Sequence, residues 1–169
     1  MFRRSFALLS ACGLAVSVVA YGESFSGSQA ELIFRCLVVL LPGWIALFFP
    51  IYILEYHALR TRRFGFKSLA RGMPSWVAPS ARLLWLVAMV HLAWGMLRTG
   101  WGVPAIQDGQ YVLEAHGRIL RLLTPAEYFS LRAALARMSA AMMIFFYFMP
   151  TMYWWFRRNE GAPHFPPVS

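Results

Sequence analysis

The segment from residue 108 to residue 156 constrains the fold more than any other part of the sequence. Residues 110–115 alternate in strand fashion, a His116-Gly117 pair follows them, and residues 118–124 would return as a second strand. Such alternation is typical of β-strands, and glycine is typical of the turn between them. We therefore predict a two-stranded β-hairpin, and we interpret Gly102 to Pro104 as the turn that leads into it. Because a lone hairpin is only marginally stable in water, we expect it to pack on the helix that follows, on the bilayer surface or on a partner.

The last helix follows the hairpin directly. Its start shows a capping box and a proline at the first helical position, formed by Thr124, Pro125 and Glu127. A helix of about 32 residues, from there to Phe156, is about 48 Å long, whereas the hydrocarbon core of a bilayer measures about 30 Å. We therefore expect this helix to begin outside the membrane, to cross it over about residues 137–156 and to end in an aromatic belt.

Three further apolar segments are long enough to cross a membrane, and they occupy about residues 5–21, 33–55 and 83–101. Charged residues make up 14% of the chain and hydrophobic residues 59%, whereas a soluble domain has about 25% charged residues. The sequence thus predicts an all-α membrane protein with about four transmembrane helices and a small extracytoplasmic β-hairpin before the last one. A single membrane domain would cover residues 1–158, and a disordered tail would cover residues 159–169.

The first apolar segment, residues 5–21, allows three interpretations. At 1.5 Å per residue it is about 26 Å long, which suits a retained transmembrane helix in a thin core. Small residues at Ala20 and Gly22 also suit signal peptidase, and cleavage would leave three spans. A lipoprotein signal ending at Cys12 is the third interpretation, although few apolar residues precede that cysteine. The sequence leaves the choice open.

Small residues on two faces of this segment favour a retained helix. They recur every four residues, at Ala7, Ala11 and Ala15 and at Gly13 and Ser17. Small side chains at this spacing let helix backbones approach closely in lipid, although signal sequences are also rich in alanine.

The distribution of basic residues predicts the orientation in the membrane. Residues 56–82 hold six basic residues and no acidic residue. With Arg3, Arg4, Arg157 and Arg158, one side of the membrane would hold ten of the sixteen basic residues. By the positive-inside rule, the basic loop 56–82 and both termini are cytoplasmic, and the hairpin faces outward from a bacterial inner membrane.

Two of the ionisable residues in the predicted spans are candidate functional sites. His91 falls near the middle of the third span, and Arg35 lies near the start of the second. Because ionisable groups in a bilayer are costly, both are candidate intramembrane polar sites. A histidine can also simply hydrogen-bond to a neighbouring helix, and an arginine can extend to the headgroups. Pro42-Gly43 and Pro50 predict kinks in the second span.

The hairpin and the helix start resemble a segment of small uncharacterised bacterial integral membrane proteins. The resemblance rests on Tyr111-Val-Leu, His116-Gly, Leu123-Thr and Glu127-Tyr, and it covers about residues 108–148. The resemblance implies a location in the membrane and an outer hairpin that distinguishes the family, but it implies no activity.

These observations favour an interaction protein, namely a small inner-membrane accessory or immunity-type protein that is not an enzyme. Its candidate partner contacts are the polar and aromatic residues of the hairpin, Tyr111, His116, Arg118 and Arg121. The alternative is an oligomeric transporter or channel component, with His91, Arg35 and the Pro42-Gly43 break along its pathway. Against this alternative, no acidic residue lies deep in a span to pair with a proton or a cation.

No catalytic, cofactor-binding or metal site is predicted, and no cofactor is expected. The four histidines are scattered without an H-E-x-x-H motif. Cys12 and Cys36 lack metal-ligand spacing and are predicted to be small packing residues. Basic cytoplasmic loops explain the net charge of +9 better than nucleic-acid binding does. The expected partners are therefore the lipid bilayer and a membrane or periplasmic protein.

Overall fold

The computed structural model describes residues 2–25, 30–61 and 72–156. It contains four long helices, α1 (Phe2–Glu23), α2 (Ala30–Thr61), α3 (Val77–Thr99) and α4 (Pro125–Phe156), with a small antiparallel sheet in front of α4. All four helices are long and apolar enough to cross a membrane, so the chain is a multi-pass membrane protein and the predicted fold class is confirmed. The predicted disordered tail and residues 62–71 of the basic loop lie outside the described residues.

Helix α4 lies at the centre of the bundle, and the other three helices pack against it. Helix α1 runs antiparallel to it, because Phe6 stacks on Trp154 at the end of α4. Helix α3 is also antiparallel to α4, because Trp76, which precedes α3, contacts Phe148 and Phe156 near the end of α4. Both chain ends of the bundle therefore lie on one side, and the sheet lies on the other.

Helix α2 runs parallel to α4, and two hydrogen bonds fix their register. The Tyr147 hydroxyl donates to the Leu40 carbonyl at 2.7 Å, and the Trp154 indole N–H donates to the Leu47 carbonyl at 3.3 Å. Both carbonyls lie just before prolines of α2, at positions 42 and 50. The two bonds join α2 directly to the second half of α4.

The buried residues of α1 are small, as predicted, and the two predicted faces differ in how completely they are buried. Gly13 and Ser17 are both buried, whereas on the alanine face Ala7 is buried, Ala11 is half-buried and Ala15 is exposed. Ser10 and Ser17 are also fully buried, and their hydroxyls donate to carbonyls four residues earlier at 2.7 Å. The prediction that Cys12 and Cys36 are packing residues was wrong, because both are exposed on the outside of the bundle.

Helix α3 begins earlier than the predicted third span. Val77 and Ala81 belong to the helix rather than to the basic loop, and they are buried at 0% and 1% exposure. Both lie in a cluster with Phe148 and Met149 of α4. Burial of these apolar side chains against α4 explains why the helix extends to Val77.

The sheet has three strands, β1 (Val103–Gln107), β2 (Gln110–Ala115) and β3 (Arg118–Leu122), in that spatial order. The predicted hairpin is present as β2 and β3, but the interpretation of Gly102 to Pro104 as a turn was wrong. Pro104 pairs with Leu113 inside β1. A proline is tolerated there because β1 is an edge strand. On its open side no neighbouring strand needs the missing N–H as a hydrogen-bond donor.

Both turns of the sheet adopt the left-handed backbone that two-residue hairpins prefer. The φ angles are 51° and 76° at Asp108-Gly109 and 54° and 78° at His116-Gly117. Positive φ at both central residues matches the right-handed twist of the flanking strands, and Asp-Gly is a strong signal for this turn.

Candidate functional site

The sheet packs on the first turns of α4 through one of its faces. Leu113 of β2 lies in a buried cluster with Leu123, Tyr128 and Leu131. Tyr111, a predicted partner contact, is half-buried at the edge of this cluster, with its ring centroid 4.7 Å from that of Tyr128. Of the three packing partners predicted for the hairpin, the structure shows the helix that follows, and the ring of Tyr111 is partly covered by this contact.

Strand β3 forms the outer edge of the sheet, and all five of its residues are exposed. We call this strand the β3 edge. Its three large apolar side chains, Ile119, Leu120 and Leu122, are 54%, 53% and 62% exposed. In the neighbouring strand β2, by contrast, Val112 is only 1% exposed. The β3 edge thus presents apolar side chains outside the helical bundle.

An irregularity between β2 and β3 places two of these apolar side chains on the same face. Ile119 pairs with Glu114 and Leu122 pairs with Val112, so that Leu120 is the extra residue of a β-bulge. Glu114 and Val112 are two residues apart on β2 and share a face. Ile119 and Leu122 therefore lie together on the face that is opposite to Leu113.

The charged residues of the hairpin differ in their contacts with the rest of the protein. Arg118 and His116 are exposed at the start of the β3 edge. Arg121 forms an ion pair of 2.9 Å with Glu127 in the first turn of α4. Of the four predicted partner contacts, His116 and Arg118 are thus the more accessible, whereas Arg121 helps to hold the sheet on α4.

Glu127 also completes the predicted capping box. Its carboxylate accepts hydrogen bonds from the backbone N–H of Thr124 at 2.8 Å and from the Thr124 hydroxyl at 3.0 Å. The Thr124 N–H is the main reason why the pKa of Glu127 falls from 4.5 to about 2, and the bond from Arg121 is the next. The cap is therefore ionised, and intact, at physiological pH.

His91 lies at the contact between α3 and α1. Its Nδ1 is 2.9 Å from the Val87 carbonyl, and its Nε2 is 3.0 Å from the Tyr21 hydroxyl. Because a carbonyl can only accept, Nδ1 donates to Val87 within α3, and Nε2 shares a hydrogen bond with the Tyr21 hydroxyl of α1. The bond with Tyr21 joins the two helices, which favours a structural role of His91 over a role in a transport pathway.

The other predicted pathway residues lie on α2, whereas His91 lies between α3 and α1. Gly43 lies against the Tyr147 hydroxyl, since a Cβ at this position would be 2.7 Å from that oxygen. Arg35 is exposed on α2. In the described part of the chain, no three His, Cys, Asp or Glu side chains are grouped as metal ligands would be.

Comparisons with protein-family models, with curated proteins and with solved structures find no match for this chain. The resemblance of residues 108–148 to small bacterial membrane proteins therefore stays a prediction.

The exposed apolar surface of the β3 edge was not predicted from the sequence. Arg118 to Leu122 shows a strand-like pattern, and we predicted its arginines as contacts. The bulge at Leu120, which puts Ile119 and Leu122 on the same face, depends on the pairing with β2. No local sequence signal indicates this register.

Proposed function

We propose that this protein is a small accessory or immunity-type protein of the bacterial inner membrane, without catalytic activity of its own. In this proposal the β3 edge binds a membrane or periplasmic protein. The main support is the exposure of Ile119, Leu120 and Leu122 on an element outside the membrane-spanning helices. An exposed apolar edge strand pairs readily with other chains, and natural proteins usually blunt or cover such edges.

The β3 edge suggests the chemistry of the partner. An open strand edge offers backbone N–H and C=O groups to an extended segment, which adds as a fourth strand. Ile119 and Leu122 would take apolar side chains of that segment, and Arg118 would attract an acidic residue beside them. We therefore propose an extended apolar segment with a nearby acidic residue as the partner's contact.

We also propose that α1 is a retained span and that both termini are cytoplasmic. Contacts of α1 run along its whole length, from the Arg3 N–H donated to the Trp154 carbonyl to the Tyr21 hydroxyl on His91. Removal of α1 would expose the buried face of α4. The concentration of basic residues near the termini and in the loop 56–82 supports the orientation.

The first prediction tests this arrangement with green fluorescent protein fused behind Ser169. The fusion should fluoresce, because this reporter matures in the cytoplasm, and release of the reporter should leave a chain mass of 19.3 kDa. A chain shortened by residues 1–22 would contradict the retention of α1, and a dark fusion at normal expression would contradict the orientation.

The second prediction concerns the β3 edge. A photo-cross-linking amino acid at position 122 should give one defined adduct in native membranes, and the Ile119→Asn variant should lose that adduct because the partner then meets a polar side chain. The readout is the adduct band and its identity by mass spectrometry.

Ile106 provides the matched control, because it is 57% exposed on the opposite edge strand β1. The Ile106→Asn variant should keep the adduct from position 122, and a cross-linker at position 106 should not form it. An equal loss with Ile106→Asn, or no adduct at position 122, would remove the support for a partner at the β3 edge.

A further inference from the structure

The end of the bundle opposite to the sheet has an open groove between the first turns of α1 and the last turn of α4. The groove has a volume of about 640 Å³, and its lining includes Arg3, Arg4, Leu8, Trp154 and Trp155. We call it the terminal groove. Its size lies within the range of small-ligand pockets, and it joins two arginines to apolar side chains.

Several contacts hold the lining of the terminal groove in place. The Arg3 Nε donates to the Trp154 carbonyl at 2.9 Å, which satisfies one of the last carbonyls of α4. The Trp154 ring stacks on Phe6 with 5.1 Å between the ring centroids, and its indole N–H donates to the Leu47 carbonyl of α2. One wall of the groove is therefore rigid, and in the contacts described Arg3 uses only one of its five donors.

The charge of the terminal groove is suited to an anion. Arg3 and Arg4 lie in the first turn of α1, where the helix dipole also favours negative charge. No acidic residue is among the described residues that line the groove. Arginine donors arranged in this way match the oxygens of a phosphate group.

The apolar part of the lining indicates which phosphate compound fits. Leu8 and Trp155 are 59% and 57% exposed, and they lie on the outside of two membrane-spanning helices. Tryptophan is typical of the membrane–water interface, where headgroups meet acyl chains. A ligand in this position would have its phosphate on the arginines and its hydrocarbon against Leu8 and Trp155.

We propose that the terminal groove binds one anionic phospholipid of the adjacent leaflet. Its phosphate contacts Arg3 and Arg4, and an acyl chain lies along Leu8 and Trp155. The bound lipid thereby links the start of α1 to the end of α4. This binding site is independent of the β3 edge, which lies at the other end of the bundle.

Native mass spectrometry of the full chain in mild detergent tests the proposal, with phosphatidylglycerol and phosphatidylcholine of identical acyl chains as probes. The wild type should bind the first lipid at least tenfold more tightly. The Arg4→Gln variant should lose about fivefold in affinity for phosphatidylglycerol, the factor expected for one basic residue at an anionic surface. The Arg3→Gln, Arg4→Gln double variant should lose most of the preference.

Arg98→Gln is the matched control, because Arg98 is likewise exposed beside a tryptophan, 5.9 Å from the Trp94 ring, but at the sheet end. It should leave the affinity unchanged. Arg4→Gln keeps the Arg3–Trp154 bond, so it gives a result even if the double variant fails to fold. Equal binding of the two lipids, an unchanged affinity of Arg4→Gln, or an equal loss in Arg98→Gln would overturn the proposal. Displacement of the lipid by inorganic phosphate would overturn it in favour of a soluble anion.

Discussion

The Gly13→Ala variant is expected to unfold with a free energy about 1–3 kcal/mol below that of the wild type, the usual cost of inserting a methyl group into a packed interface. The ring of Tyr147 lies directly on Gly13, and a Cβ at this position would overlap its carbon atoms. Tyr147 has little freedom to move away, because its hydroxyl is bonded to the Leu40 carbonyl and contacts Gly43. The measurement is reversible denaturant unfolding in detergent micelles, followed by circular dichroism.

Gly22 is the matched control for this prediction because it is on the same helix. A Cβ there would meet nothing within 4 Å. The Gly22→Ala variant should therefore be neutral or slightly more stable, since alanine favours helix by about 0.8–1.0 kcal/mol over glycine in water.

A second-site variant tests whether Tyr147 is the cause of the destabilisation. Tyr147→Leu removes the ring and the hydroxyl, so Gly13→Ala should cost clearly less in that background than in the wild type. Equal costs in both backgrounds, or equal effects of Gly13→Ala and Gly22→Ala, would show that the close approach of α1 and α4 does not depend on this contact.

Features determined by local sequence were predicted correctly. The cap at Thr124 and Glu127, the turn at His116-Gly117 and the four apolar helices all depend on residues that are close together in the chain. The strand β1 was missed because Pro104 and Gly102 locally indicate a turn. The Asp108-Gly109 pair between two strand-like segments was the signal that could have identified it.

Features that depend on distant residues could not be predicted in this way. The sequence offers two small-residue faces on α1, and the contact of Gly13 with α4 depends on Tyr147, which lies 134 residues later in the chain. The terminal groove likewise joins Arg3 to Trp154, from opposite ends of the chain. The predicted sites at Arg35 and His91 were chosen from residue type and position in the predicted spans, which give no information about their neighbours.

Truncation of Leu113 is expected to loosen the sheet while leaving the helical bundle intact. Leu113 is 5% exposed and packs on Tyr128 and Leu131 at the start of α4. Loss of a buried leucine side chain costs about 2–5 kcal/mol when the site cannot collapse. In the Leu113→Ala variant, amide hydrogens of residues 103–122 should exchange at least about 30-fold faster. The reason is that the free energy of local opening falls by the cost of the lost leucine side chain. Hydrogen exchange read by mass spectrometry gives this result separately for the sheet and for each helix.

Ile106→Ala removes a side chain of similar size from the neighbouring strand, but Ile106 is 57% exposed. In the Ile106→Ala variant, the exchange rates of the sheet should stay within about threefold of the wild type, because exposed positions contribute little to stability. Leu113→Ala and Ile119→Asn together separate folding from partner binding. Leu113→Ala should weaken the cross-link from position 122 by loosening the sheet, whereas Ile119→Asn should abolish the cross-link with normal exchange. Unchanged exchange in Leu113→Ala would mean that the contact with α4 does not hold the sheet in place. The β3 edge would then have to owe its position to another part of the chain or to the membrane surface.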